Sequence, residues 1–120
     1  MSEFAAAAVK PLVPLSTLEA LDIRVGTIER VEEVTRSDKL MRLTVNFGDH
    51  SRVILAGIRK ERETPKEIEG KQALFVLNLE SRRMAGDISQ GMLFDLGYAD
   101  GIKPALAVPE WPVPNGTRAG

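Results

Sequence analysis

The residues best placed to do chemistry are cations gathered at the ends of apolar segments. Arg36-Ser37-Asp38-Lys39 follows one such segment, Arg42 falls within a second, and Arg82-Arg83 follows a third. Lysine and arginine so placed neutralise phosphate, and arginine adds a forked set of donors. The same side chains also serve soluble proteins as a solvated face, so at this level both readings stand.

Catalysis is poorly supplied. The one histidine, His50, stands beside Asp49 in an expected turn with no nucleophile motif around it. The chain carries no nucleophile elbow, P-loop, dinucleotide fingerprint or paired-histidine zinc motif. Glu32, Glu33, Glu61, Glu63, Glu67 and Glu69 lie among lysines and arginines, where solvated surface is expected rather than a metal or acid–base site. The absence of cysteine removes disulfides, thiolate catalysis and thiolate zinc sites together, and fits a reducing compartment. The expectation is a cytoplasmic protein with no enzymatic activity, cofactor or metal.

The elements that must position the cations follow from the rest of the chain. With 120 residues, 43% of them hydrophobic, there is enough for one globular domain, which at this length buries roughly two-thirds of its unfolded surface. A net charge of -1 argues against indiscriminate coating of nucleic acid, so any such contact comes from a local patch. Met1-Ser2-Glu3-Phe4 has an acid where a secretory signal has cations, and Lys10, Pro11 and Pro14 interrupt the apolar stretch that follows. Neither an export signal nor membrane insertion is expected. Asn115-Gly116-Thr117 spells a glycosylation acceptor but reads as a turn, because Asn-Gly is a strong turn dipeptide.

Residues 1–14 read as a tail and 15–120 as the folded domain. Ser16-Thr17-Leu18-Glu19 has the capping-box pattern and predicts a short helix to about Leu21, with Leu15, Leu18 and Leu21 as one apolar stripe. Ile23 and Val25 alternate until the phase slips at Gly26, which predicts a long first strand bent at a bulge there. Met41, Leu43, Val45 and Phe47 alternate with Arg42, Thr44 and Asn46 as a half-buried strand. Gly48-Asp49-His50 turns it into a third strand over 51–56, and 65–70 forms a polar connector of one helical turn. Residues 73–79 read as the most buried strand. Two more strands over 91–96 and 102–108 flank a turn at 97–101. The fold class is all-β: a five-stranded OB-fold barrel with a short N-terminal helix and extra C-terminal strands.

An OB barrel binds oligonucleotides across its second and third strands and the adjoining loops, where Arg42, Thr44 and Asn46 point. Single-strand binders stack bases on exposed aromatics, yet Phe47, Phe75 and Phe94 fall within the apolar pattern and few rings remain. Shape and phosphate recognition of structured RNA suits this inventory better.

Asp22-Ile23-Arg24-Val25-Gly26, Ser37-Asp38-Lys39-Leu40, Gly70-Lys71, Asn78-Leu79 and Ser89-Gln90-Gly91-Met92, in that order, resemble the signature of the tRNA-binding OB domain. That domain occurs at the end of some methionyl-tRNA synthetases, in free-standing tRNA-binding proteins and in the EMAP II cytokine. The ending Val113-Pro114-Asn115-Gly116-Thr117 is similar to the stand-alone CsaA branch, described as protein-export chaperones. The resemblance covers residues 18–120. It departs from the family pattern at Thr35, where a proline is usual before the D-K-L element, and at Ala56-Gly57, where the family has Ser-Gly.

The resemblance implies a non-catalytic homodimer, assembled through its terminal segments, that contacts tRNA through Ser37 and Lys39, Asn78, and the turn from Ser89 to Met92. Lys39, Arg42, Arg82 and Arg83 would neutralise phosphates. Asn78, Ser89 and Gln90 would bond sugar or base edges, and Met92 would pack on a base or belong to the core. The alternative it implies is a peptide-binding chaperone for unfolded preproteins or the export machinery, with an apolar groove near Leu18 and Leu21. The Val108–Pro114 segment and the helix stripe expose more apolar surface than a small barrel covers by itself, which is the expectation for a dimer.

Overall fold

The structure is a computed structural model that describes residues 4–120; the first three residues of the expected tail lie outside it. One helix, α1 (Leu15–Glu19), precedes ten strands. These are β1 (Ile23–Glu33), β2 (Met41–Asn46), β3 (Ser51–Ala56), β4 (Gln72–Val76), β5 (Arg82–Met84), β6 (Asp87–Ser89), β7 (Met92–Leu93), β8 (Asp95–Leu96), β9 (Ala105–Leu106) and β10 (Arg118–Ala119). A one-turn 3-10 helix over Pro65–Ile68 joins β3 to β4. The main sheet runs β3-β2-β1-β4-β7, antiparallel throughout, and curls into the expected OB barrel.

The alternation of β2 explains the core. Met41, Leu43, Val45 and the following Phe47 point inward, while Arg42, Thr44 and Asn46 lie half-buried on the outer face. Phe47 meets Phe75 of β4 edge to face, with ring centroids 5.5 Å apart. Ile28, Val31, Ile54 and Ile68 complete a fully buried interior.

β1 is long because it serves both halves of the barrel. Residues 23–27 pair with β4 and residues 27–33 with β2, so the strand changes partner at Thr27. The bulge falls at Glu29, between Ile28 and Arg30, and not at Gly26 as the phase slip predicted. Gly26 is needed for a different reason: a Cβ there would lie 2.7 Å from both Phe47 Cε1 and Val45 Cγ1. The sequence registered a close approach of core side chains and not a kink.

Other boundaries shift for local reasons. α1 has no capping box: Pro14 is its N-cap, so Ser16 lies inside the helix, where its hydroxyl caps nothing. Proline's fixed φ starts the helix two residues early, and the helix ends at Glu19. Its stripe of Leu15, Leu18 and Leu21 is 68%, 46% and 41% exposed, unpacked within one chain. β4 ends at Val76 because Leu77 N–H then donates to Asp22 O, and Leu79 is exposed. The strands expected over 91–96 and 102–108 are reduced to β7, β8 and β9, interrupted where β7 leaves β4 and β8 pairs with β9. The hairpin β5–β6 lies where the sequence pattern predicts no strand, and the extra C-terminal strand β10 pairs with the start of β1. The Asn115-Gly116 turn is present, with Thr117 N–H on Pro114 O and Gly116 at φ 92°.

Candidate nucleic-acid interface

Beside β3, the barrel is closed by side chains rather than by a regular ladder. Ser89 Oγ accepts the Leu55 N–H at 2.9 Å and donates to Gly91 O, while Gln90 Oε1 accepts the Val53 N–H and Gln90 N–H donates to Val53 O. Arg52 of β3 reaches the same seam, donating to Leu77 O and Gln90 O. An unpaired strand edge in this position would leave buried N–H groups without partners, at about 1–3 kcal/mol each. The polar atoms of Ser89, which is 4% exposed, are thereby consumed in the fold.

The hairpin β5–β6 projects from this seam. Its turn is Ala85-Gly86, at φ 52° and 81°, the left-handed pair that matches the twist of two-residue hairpins. Arg36 lies under the turn, with Nη1 3.3 Å from where a Gly86 Cβ would stand. Arg42 of β2 fastens the hairpin to the barrel: its Nε donates to Asp87 Oδ2 at 2.7 Å and its Nη2 joins the same oxygen. That guanidinium and the Ile88 N–H hold the Asp87 carboxyl below its ordinary pKa. Arg82 and Met84 face the barrel side of the hairpin; Arg83, one residue between them, faces away.

The loop after β1 is equally fixed. Ser37 Oγ accepts the N–H groups of Lys39 and Leu40, at 3.1 and 3.0 Å, and Arg59 N–H donates to Lys39 O. Ser37 thus holds the backbone that presents Lys39. Lys60 pairs with Asp38 at 3.0 Å, which lowers the Asp38 pKa. Asn78 lies elsewhere, clamping α1: its Oδ1 accepts Asp22 N–H at 2.7 Å and its Nδ2 donates to Ala20 O at 2.8 Å.

Between the loop, the hairpin and the β7–β8 segment lies a cleft of about 730 Å³. Lys39, Lys60 and Arg82 supply its cations, and Leu55, Met92 and Leu93 its apolar floor. Of the residues singled out in the sequence, Lys39, Arg82 and Met92 therefore meet in one place. Ser37, Arg42, Ser89 and Gln90 build its frame, while Asn78 and Arg83 face elsewhere. Among the described residues, Lys39, Arg82 and Arg83 make no ion pair.

Sequence reasoning missed Lys60, Met84, Tyr98 and two acids on this cleft. Tyr98, 70% exposed in a turn flanked by Gly97 and Gly101, carried a signal, since such turns lie at surfaces. Glu61 did not: it was expected on solvated surface, yet its Oε1 is shut off from solvent without a hydrogen-bond partner. Burial, then the neighbouring Asp95, pushes the Glu61 carboxyl up to about 7.

Comparison with known proteins places this geometry. The chain matches the family described as "Putative tRNA binding domain" over residues 23–118. It is 41% identical over 92 residues to a methionine–tRNA ligase of Chlorobium chlorochromatii, a match that covers 77% of this chain but 13% of that enzyme. The chain thus spans a small fraction of the length of such relatives. Among solved structures it resembles a MetRS-related protein from Pyrococcus horikoshii, with TM-score 0.84 and 32% identity over 92% of this chain and all of that one. The chaperone CsaA of Bacillus anthracis superposes with TM-score 0.80 and 28% identity, over 92% of this chain and all of that one. With four-fifths of its length matched, and the barrel strands β1 to β9, the Ser37 loop and the hairpin all within the matched residues, the chain belongs to the tRNA-binding-domain family.

Proposed function

We propose that this chain binds tRNA without catalysis, gripping the folded RNA by its backbone at the cleft between Lys39 and Arg82. The observation that carries this reading is that those two cations, free of ion pairs among the described residues, line one cleft together with apolar side chains. Lys39 rides on the Ser37 turn and Arg82 on the stapled hairpin, so little order has to be bought when phosphate arrives. Tyr98 is the one aromatic ring lining the cleft, which favours shape and phosphate recognition over serial stacking. Bulk tRNA binding at two salt concentrations, with single-stranded DNA as competitor, tests it. A clear salt slope with weak displacement by DNA supports the reading; no binding to tRNA overturns it.

The active species in this reading is a homodimer. Val9 and Leu12 are 95% and 98% exposed, and α1 buries no residue, although Asn78 holds its end in place. Apolar side chains open to water, on and before a helix whose end is anchored, suit a second copy. A peptide-holding role draws support from the same region, where Leu15, Leu18, Leu21 and Ile23 line a groove of about 690 Å³. Suppression of client aggregation at stoichiometric levels tests that role, and a null result across several unfolded preproteins overturns it.

A further inference from the structure

Two carboxyl groups stand on a surface otherwise suited to phosphate. Glu61 and Asp95 are neighbours in the lining of the cleft, which Lys39, Lys60, Arg82 and the Tyr98 phenol share, and Arg62 stands beside Glu61 in sequence. Lys60 is engaged by Asp38 and Arg62 by Glu67, so neither is committed to the acidic pair. Carboxylates repel a polyanion unless the ligand offers hydrogen-bond donors to them. Both acids line the cleft, and the exposed Asp95 carboxylate is an acceptor open to such a donor, with Glu61 beside it.

The RNA bases differ in what they offer. Guanine alone presents two adjacent donors, N1–H and N2–H, on its Watson–Crick edge. Adenine and cytosine present one amino donor beside an acceptor, and the uracil N3–H lies between two acceptors. A base must also be unstacked to be read on that edge. The floor of Met92 and Leu93, with Met84 and Tyr98 at the rim, offers an apolar slab for its face. The cleft's volume of about 730 Å³ lies in the range of about 300–1,000 Å³ common for sites that take one small ligand.

We infer that the cleft receives one unstacked guanine nucleotide of the RNA, its N1–H and N2–H edge on Glu61 and Asp95 and its phosphate on Lys39 and Arg82. This rests on the RNA-binding reading and adds a base-specific subsite to it. Guanine donors need acceptors, so they favour the ionised pair, and guanine affinity rises as the pH passes from 6 to 8. Adenine needs one proton on the pair and shows the opposite trend.

The test titrates the isotopically labelled chain with 5′-GMP, 5′-AMP and 5′-CMP at pH 6 and pH 8, and measures bulk tRNA binding in parallel. Expected are amide shifts over residues 57–61 and 92–98 with GMP, an affinity about threefold higher at pH 8, and a preference over AMP and CMP of about tenfold. Glu61→Gln abolishes the preference while the salt slope for tRNA stays. Asp95→Asn, at an exposed position, does the same and guards against misfolding of the first variant. Equal response to the three nucleotides, or a preference unmoved in both variants, overturns the guanine subsite even if tRNA binds. Failure of the unmodified chain to bind tRNA overturns the RNA reading instead.

Discussion

Arg42 on β2 and Asp87 at the start of β6 share a single carboxylate oxygen, and this ion pair fastens the β5–β6 hairpin to the barrel. Removing the acid separates two roles for Arg42. If Arg42 acts on phosphate, Asp87→Ala frees a cation and tightens tRNA. If it acts as a staple, Asp87→Ala loosens the hairpin and weakens tRNA several-fold without lowering the salt slope. The second outcome is expected, read from filter binding across a salt series.

Lys39→Ala and Arg82→Ala each remove one phosphate contact in the proposed interface. Each is expected to weaken tRNA binding and to lower the magnitude of the salt slope by about 1. Arg83→Ala, on the outward face of the hairpin, changes the slope less than Arg82→Ala. Equal effects of the two arginines would contradict the facing described above.

Ser89→Ala leaves the buried Leu55 N–H without its acceptor. The expected loss of stability is about 1–3 kcal/mol, measured by urea denaturation. Gln90→Ala removes the acceptor of the Val53 N–H at a more exposed place and costs less.

The Glu61 carboxyl links stability to pH. Its ordinary value is 4.5 and its value in the fold is about 7, so between these the folded chain holds a proton that the unfolded chain has released. Its contribution is full below 4.5, declines as pH rises toward 7 and is gone above. Glu61→Gln keeps a donor facing Asp95 at every pH. Relative to the unmodified chain the variant is therefore expected to be similar at pH 4 and more stable at pH 8, by about 1–3 kcal/mol. Denaturation midpoints at the two pH values check it.

Leu12→Asp with Leu15→Asp places charge on side chains that are 98% and 68% exposed within one chain. The fold is expected to persist and the sedimentation mass to fall from two chains to one. An unmodified chain that already sediments as one copy would refute the dimer.

The sequence by itself determined the barrel and most of its inner strands. The alternation from Met41 to Phe47, the turn at Gly48, the strand over 51–56 and the apolar run from Ala73 are local patterns, and burying their apolar members leaves one architecture. The positions of Lys39 and Arg82 just after apolar segments were equally legible. What the tertiary structure alone decided was who faces whom. Ser89 and Gln90 lie more than thirty residues from the β3 amides they satisfy, so their role in closing the barrel has no local trace. Glu61 sits in the run Arg59-Lys60-Glu61-Arg62, indistinguishable in sequence from solvated surface, until β8 brings Asp95 against it and closes its oxygen from water. Arg82 and Arg83 are neighbours in the chain but fall on opposite faces of a hairpin held by Arg42 and Asp87. Periodicity is a property of a few consecutive residues, whereas closure, desolvation and facing depend on contacts between distant segments, which exist only once the barrel has formed.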